Sequence, residues 1–221
     1  MVTKLRVHNL AVSLDGFATG EGQALEAPFG HAEDRLMRWF FPTDTFVSMS
    51  GHDGEAVGAG SHGIDDAFAA ATDRGIGVEI MGRGKFGPQV GAWEDESWTG
   101  WWGDEPPFHS PVLVLTHHER PDLVLGETTF LFRSMHPADA LALATELAGD
   151  LDVRLGGGPS VVQEFLDADL VDHLHVVVVP IVLGRGVRVW DGLEGLEQRF
   201  EIEVTASPSG VVHYVFTRLA R

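Results

Sequence analysis

A chain of 221 residues with 44% hydrophobic side chains has the length and apolar content for a packed core and is too rich in core formers for intrinsic disorder. Its net charge of −18 excludes general nucleic-acid binding, since a phosphate backbone is repelled by such a surface, but leaves room for one nucleotide held by a few local cations. The lack of cysteine excludes disulfides, thiolate metal sites and cysteine nucleophiles; with no signal-peptide segment and no apolar run near the roughly 20 residues of a membrane helix, a cytoplasmic protein away from the membrane is expected.

In chain order, Leu5, Val7, Val12 and Leu14 stand among polar or small neighbours and predict a first strand over 5–14, which runs through Asp15-Gly16 into a glycine-rich loop. Residues 31–41 have helical spacing, with Ala32, Leu36, Trp39 and Phe40 on one face and Pro42 as the stop. A loop rich in Gly, Ser, Asp and His, 48–60, precedes a second helix, 64–74. A short strand, 77–82, ends at Arg83-Gly84-Lys85-Phe86-Gly87-Pro88. The following loop, 89–110, carries Trp93, Trp98, Trp101 and Trp102; connections this long without regular structure are often functional. Strands are expected at 111–116, 129–132 and 151–155, and helices at 138–147 and 161–166. The apolar run 174–180 reads as a strand covered on both faces. An antiparallel hairpin, 200–206 and 211–219, finishes the chain. With no repeat and no linker, this alternation predicts one α/β domain over 1–221 with a mixed sheet.

Two turns have the chemistry of a phosphate site. Gly156-Gly157-Gly158-Pro159-Ser160 lies between a strand and a helix, so N–H groups unobstructed by Cβ atoms and a positive helix end would face an anion. Gly82-Arg83-Gly84-Lys85 places two cations just after a strand end, and an arginine presents a fork of donors to a phosphate. Taken singly, the first could be a tight turn and the second a basic surface turn. His117-His118, with His109, Asp104 and Glu105 upstream, offers metal-ligand types, but adjacent histidines point in different directions and no metal site is expected. His173 and His175 share one strand face, which suits a structural role or a subunit contact.

Five segments, Ser13-Leu14-Asp15-Gly16, Met81-Gly82-Arg83-Gly84-Lys85-Phe86, Val112-Leu113-Val114-Leu115-Thr116, Arg154-Leu155-Gly156-Gly157-Gly158-Pro159-Ser160 and Pro180-Ile181-Val182-Leu183-Gly184-Arg185-Gly186, occur in an order that resembles the dihydrofolate-reductase-like superfamily. Within it, the chain is most similar to stand-alone relatives of the C-terminal reductase domain of the riboflavin-biosynthesis deaminase–reductase. The resemblance implies a three-layer fold with a mixed, mostly parallel sheet of eight or nine strands, flanking helices and a C-terminal antiparallel hairpin. It also implies NADPH at the carboxyl ends of the strands. On this match Ala11, Asp15 and Gly16 would lie near the nicotinamide, and Gly82, Arg83, Gly84 and Lys85 would meet the pyrophosphate and the adenosine phosphate. Thr116 and His117 would flank the 2′-phosphate, and Gly156, Gly157, Gly158, Pro159 and Ser160 would close over the pyrophosphate.

Asp15 is either a turn-forming residue or, by the resemblance, a group that orients the acceptor or raises its proton affinity. Asp34 is the second choice for that role, with neighbouring Glu33; both could equally serve a helix dipole. The four tryptophans fill a core or form a lid over a flat heterocycle. The resulting expectation is an NADPH-dependent reductase acting on a small pterin-like or riboflavin-precursor-like substrate; the alternative is an NADP(H)-binding protein without turnover. A homodimer through the late strands is plausible on the same resemblance.

Overall fold

The computed structural model describes residues 3–50, 63–93 and 96–220; residues 51–60 of the expected loop 48–60, and Glu94 and Asp95 of the tryptophan-rich loop, lie outside them. In chain order the elements are β1 (Leu5–Ser13), β2 (Phe17–Thr19), α1 (Asp44–Ser50), α2 (Ile64–Ala69), β3 (Ile76–Gly82), α3 (Arg83–Phe86), β4 (Pro111–Leu115), β5 (Leu123–Leu125) and β6 (Thr128–Arg133). They continue with α4 (Pro137–Ala148), β7 (Asp152–Leu155), α5 (Pro159–Asp167), β8 (His173–Val179), β9 (Val187–Arg188), β10 (Phe200–Ala206) and β11 (Val212–Arg218). They form two compact units, each assembled from three stretches: Met1–Val7, Ala24–Pro28 and Gly75–His173 in the first, His8–Gln23, Phe29–Arg74 and Leu174–Arg221 in the second.

In the first unit the strands run in the order β1, β7, β3, β4, β6, β5. All neighbours are parallel except β5, which pairs antiparallel with β6. The strands are parallel and apolar because both faces are covered. On β3, β4 and β7 the residues Val78, Ile80, Met81, Val112, Leu113, Val114, Val153 and Leu155 are all fully buried. Helix α4 starts with Pro137 in its first turn and buries the small side chains Ala140, Ala144 and Ala148, which brings its backbone close to the sheet. A Cβ on Gly77 of β3 would sit 2.9 Å from the Ala148 carbonyl oxygen. An aromatic cluster of Phe86, Phe130 and Phe132 packs with Met81, Val112 and Val114.

In the second unit the order is β10, β11, β8, β1. The hairpin β10–β11 is antiparallel, from Phe200 opposite Arg218 to Ala206 opposite Val212. A two-stranded ribbon pairs β2 with β9. The core gathers Phe17, Leu36, Trp39, Val177, Val179, Leu183 and Val211.

The expected mixed, mostly parallel sheet with its C-terminal hairpin is thus present, and three local expectations are corrected. Residues 31–41 do not form a helix: a 3-10 turn at Gly30–Ala32 gives way to successive turns closed by bonds such as Met37 N–H to the Asp34 carbonyl. Glu33, at φ 51°, has left the helical region, yet Ala32, Leu36 and Trp39 are still buried. Helix α1 covers residues 44–47, to which no element was assigned, and takes in the start of the expected loop at 48–50; Thr43 Oγ1 accepts from Phe46 N–H at 3.2 Å and caps it. The second helix stops at Ala69, short of residue 74.

Candidate functional site

In the first unit the carboxyl ends of β4, β3 and β7 lie side by side, with Gly82 opposite Leu115 and Ile80 opposite Leu155. The turns that follow, Gly82-Arg83-Gly84-Lys85, Thr116-His117 and Gly156-Gly157-Gly158, are therefore neighbours. Two are tied directly: Gly82 N–H donates to the Gly157 carbonyl at 3.0 Å and Gly156 N–H to that of Ile80 at 2.8 Å. Glycine is required at several points. A Cβ on Gly82 would meet Val161 Cγ2 of α5 at 2.6 Å, one on Gly156 would overlap Glu79 Oε1, and Gly157 has φ 113°. At Gly84 and Gly158, in contrast, the space is open. Pro159 opens α5, and Val162, Phe165 and Leu166 bury its inner face, so its amino end stays fixed behind the glycine run.

Glu79, not identified from the sequence, organises this end of the unit. Its side chain is buried on β3 and binds two cations. Lys85 Nζ donates to Glu79 Oε1 at 2.7 Å and to the Gly156 carbonyl at 2.7 Å; Arg154 Nε donates to Glu79 Oε2 at 2.7 Å. Burial alone would raise the carboxyl's pKa, but the Arg154 and Lys85 charges and their hydrogen bonds outweigh it and hold the group ionised. The sequence signal was a single carboxylate inside Val78-Glu79-Ile80-Met81, a strand otherwise apolar on both faces.

Arg83 leans on Trp93, its guanidinium carbon 3.8 Å from the ring centroid, and donates through Nη1 to the Gly91 carbonyl. Arg120 lies 5.1 Å from the same ring and donates to the carbonyls of Trp98, at 3.0 Å, and Glu96. Arg83 Nε and Nη2 and Arg120 Nε are buried without an acceptor among the described residues. Burial, with the Arg120 charge, lowers the Arg83 pKa. Two close cations whose donors have no acceptor among the described residues make a setting for an anion, and Arg120 is a second residue that the sequence reading missed. Thr116 is buried; its hydroxyl bonds both to the His118 carbonyl and to the His118 N–H, shaping the turn that leaves His117 exposed. Trp93 Nε1 donates to the His118 carbonyl at 2.5 Å.

The tryptophans of loop 89–110 pack as core. Trp93, Trp98 and Trp102 lie against the aromatic cluster, Trp98 Nε1 donates to the Phe86 carbonyl at 3.0 Å, and Trp101 sits edge-on to Trp98. Their indoles fasten Arg83 and Phe86 in place. Among the described residues no group of three or more metal-ligating side chains converges.

The second unit holds Ala11, buried on β1, and the Asp15-Gly16 turn. Asp15 has four donors on its carboxylate. Ser13 Oγ donates at 2.6 Å, Leu183 N–H at 3.0 Å and Gly184 N–H at 2.7 Å, and its own N–H contributes. The Ser13 hydroxyl contributes most; desolvation opposes it, and with the backbone donors added the pKa comes to about 2. Gly16, at φ 86°, lets the chain turn beneath Trp190 and receive Val189 N–H on its carbonyl. Asp34 is half-buried and pairs with Arg38, whose hydrogen bond lowers its pKa; it rests on the turns that replace the expected helix. In this arrangement both carboxylates are held by donors of the chain itself. Asp15 fastens the loop at 183–184, and Asp34 is a surface ion pair.

The family model described as RibD C-terminal domain matches residues 6–212. No curated protein matches the chain. Among solved structures, a protein assigned to riboflavin biosynthesis from Shewanella sp. PV-4 is 19% identical, with TM-score 0.58, over 99% of this chain and 100% of that one. A diaminohydroxyphosphoribosylaminopyrimidine deaminase/5-amino-6-(5-phosphoribosylamino)uracil reductase from Thermotoga maritima is 14% identical, with TM-score 0.54, over 98% of this chain and 57% of that one. Dihydrofolate reductase from Enterococcus faecalis, complexed with NADP(H), is 13% identical, with TM-score 0.52, over 98% and 97%. At these identities the similarity shows a shared fold.

Proposed function

Because the chain belongs to the RibD C-terminal domain family, we propose that it is an NADPH-dependent reductase that passes hydride to a small, flat heterocycle of the pyrimidine or pterin type. The observation that carries this reading is the convergence of three phosphate-suited turns on the carboxyl ends of adjacent parallel strands, where open α/β sheets take their ligands. The solved relatives support it: one is named for a ribosylated aminouracil reductase activity and another was complexed with NADP(H).

The residues fit the cofactor. The amino end of α5 behind Gly156, Gly157 and Gly158, with Pro159 and Ser160 in its first turn, would hold the pyrophosphate together with Gly82 and Gly84. Arg83 and Arg120 have buried donors without acceptors among the described residues and would meet the extra phosphate on the adenosine, beside Thr116 and His117. Lys85 acts through Glu79 and the Gly156 carbonyl, holding the glycine run in shape. When bound, the cofactor supplies the hydride chemistry. Ala11 and Gly16 are proposed to line the nicotinamide end. Asp15 positions that loop by binding the N–H groups of Leu183 and Gly184.

The occupied state of Asp15 and Asp34 favours one rival, NADP(H) binding without turnover. Calorimetry with NADPH and NADH, followed by NADPH oxidation with dihydropterin and ribosylaminopyrimidine substrates, tests both. The expected result is binding selective for NADPH, then oxidation with one substrate class. No binding at millimolar NADPH overturns both readings, and binding without oxidation leaves the rival.

A further inference from the structure

Two histidines in the second unit are almost completely removed from solvent, and no step of the proposed reaction uses them. His175 of β8 is 1% exposed and His213 of β11 is 0% exposed. Their rings stack 5.2 Å apart, and Phe68 of α2 stacks on both, at 4.7 and 4.2 Å. Trp39 meets His213 edge-on. A single line of hydrogen bonds runs through them: Asn9 N–H to His175 Nδ1 at 3.2 Å, His175 Nε2 to His213 Nδ1 at 3.0 Å, and His213 Nε2 to Asp65 Oδ1 at 2.9 Å.

The polarity of this line is determined at both ends. A backbone N–H can only donate, so His175 Nδ1 accepts. The neutral ring then carries its proton on Nε2 and donates to His213 Nδ1. His213 in turn donates through Nε2 to Asp65. Burial would raise the Asp65 pKa, but hydrogen bonds from Ser207 and Ser209, and the His213 ring, hold it below its usual value. The line is therefore satisfied with two ring protons and one carboxylate. A third ring proton would set two donors against each other at one of the links and leave a buried bond broken.

Asn9 explains why β1 reaches this line. It sits at φ 57° within the strand, and its side chain donates to Thr72 Oγ1 at 2.6 Å while its Oδ1 is buried without a partner among the described residues. The backbone departure turns its N–H out to the histidine. The titratable groups that the described contacts bring to the pair are Asp65 from α2 and His8 from β1, the latter's ring 6.4 Å from that of His175. Phe68, Trp39, Asn9, Ser207 and Ser209, from the other elements packed here, do not titrate in this range.

We propose that the line Asp65–His213–His175 is an acid-released latch that holds α2 on β8 and β11 and fixes the positive-φ backbone of β1 at Asn9. Held, it has room for two ring protons. Released, the histidines take up more, so acid favours release.

Full-length protein tests this with histidine ring 15N resonances and amide hydrogen exchange from pH 8 to 5. At pH 8 both rings should be neutral and protonated on Nε2. Protection of the Ala67 and Ala70 amides, corrected for intrinsic exchange, should fall as pH falls, by about tenfold per pH unit for each ring proton gained on release, while α4 stays unchanged. The double variant His175→Gln/His213→Gln offers the same donors and acceptors without titrating, and its α2 protection should be flat with pH. Rings protonated on Nδ1, flat wild-type protection, or an unchanged slope in the glutamine variant each overturn the latch. If that variant does not fold, the ring tautomers and the wild-type exchange decide.

Discussion

Glu79 is the residue on which the phosphate-suited end of the first unit depends. Replacing it with alanine leaves Arg154 buried and Lys85 without its carboxylate. Removing one partner from a buried ion pair costs about 3–5 kcal/mol, so thermal unfolding of Glu79→Ala should show a drop of that size. Arg120 is the more specific probe of the proposed cofactor, because it touches carbonyls and Trp93 but no carboxylate among the described residues. A hydrogen bond to a charged group is worth about 1.5–3 kcal/mol, so Arg120→Ala should weaken NADPH binding by roughly 10- to 100-fold in calorimetry and leave NADH binding unchanged. Equal losses for both nucleotides would place Arg120 outside the adenosine phosphate site.

Among the elements, the Asp15 turn has a measurable pH signature. Its carboxyl titrates at about 2 in the folded chain against an ordinary 3.8. A depressed carboxyl stabilises the fold fully above its unfolded value and loses that contribution as pH falls from about 4 to 2. Acid unfolding of Asp15→Asn followed by circular dichroism should therefore lack the part of the transition in that window. The glycine run has a steric signature instead: Gly156→Ala drives a methyl into Glu79 Oε1 and should lower both stability and NADPH affinity. These turns were legible in the sequence because each follows a strand whose apolar run, such as 112–115, announces itself. The residues around them were less so. Arg120 and Glu79 reach the site through spatial neighbours, Trp93 and Arg154, that lie 27 and 75 positions away, and no local pattern encodes such a pairing. Residues 31–41 misled for a local reason: Leu36, Trp39 and Ala32 bury the expected face, but the backbone at Glu33 breaks the helix that would carry it. The tryptophans were ambiguous because core filling and lid formation demand the same side chains.

At the scale of the whole molecule, the open question is association. The edge strand β10 exposes Ile202 and Val204, opposite Phe216 and Tyr214 on β11, and this apolar strip supports pairing with a second copy. Light scattering should give twice the 24.0 kDa chain mass, and Ile202→Lys/Val204→Lys should return it to the monomer value. A wild-type mass of one chain would remove the dimer proposal.

Neither compact unit is a continuous piece of chain, and this has a consequence for biosynthesis. Strand β1 contributes its first residues to one unit and the rest to the other. It leaves the ribosome before both partners: β7, which pairs with its beginning, and β8, which lies beside it in the second unit, follow some 150 residues later. Neither unit can close on an early fragment, and pairings so distant in sequence form slowly. Nascent chains stalled at residue 150 should thus be open to protease throughout, and chains extended past 173 should protect the first unit while the second is still incomplete.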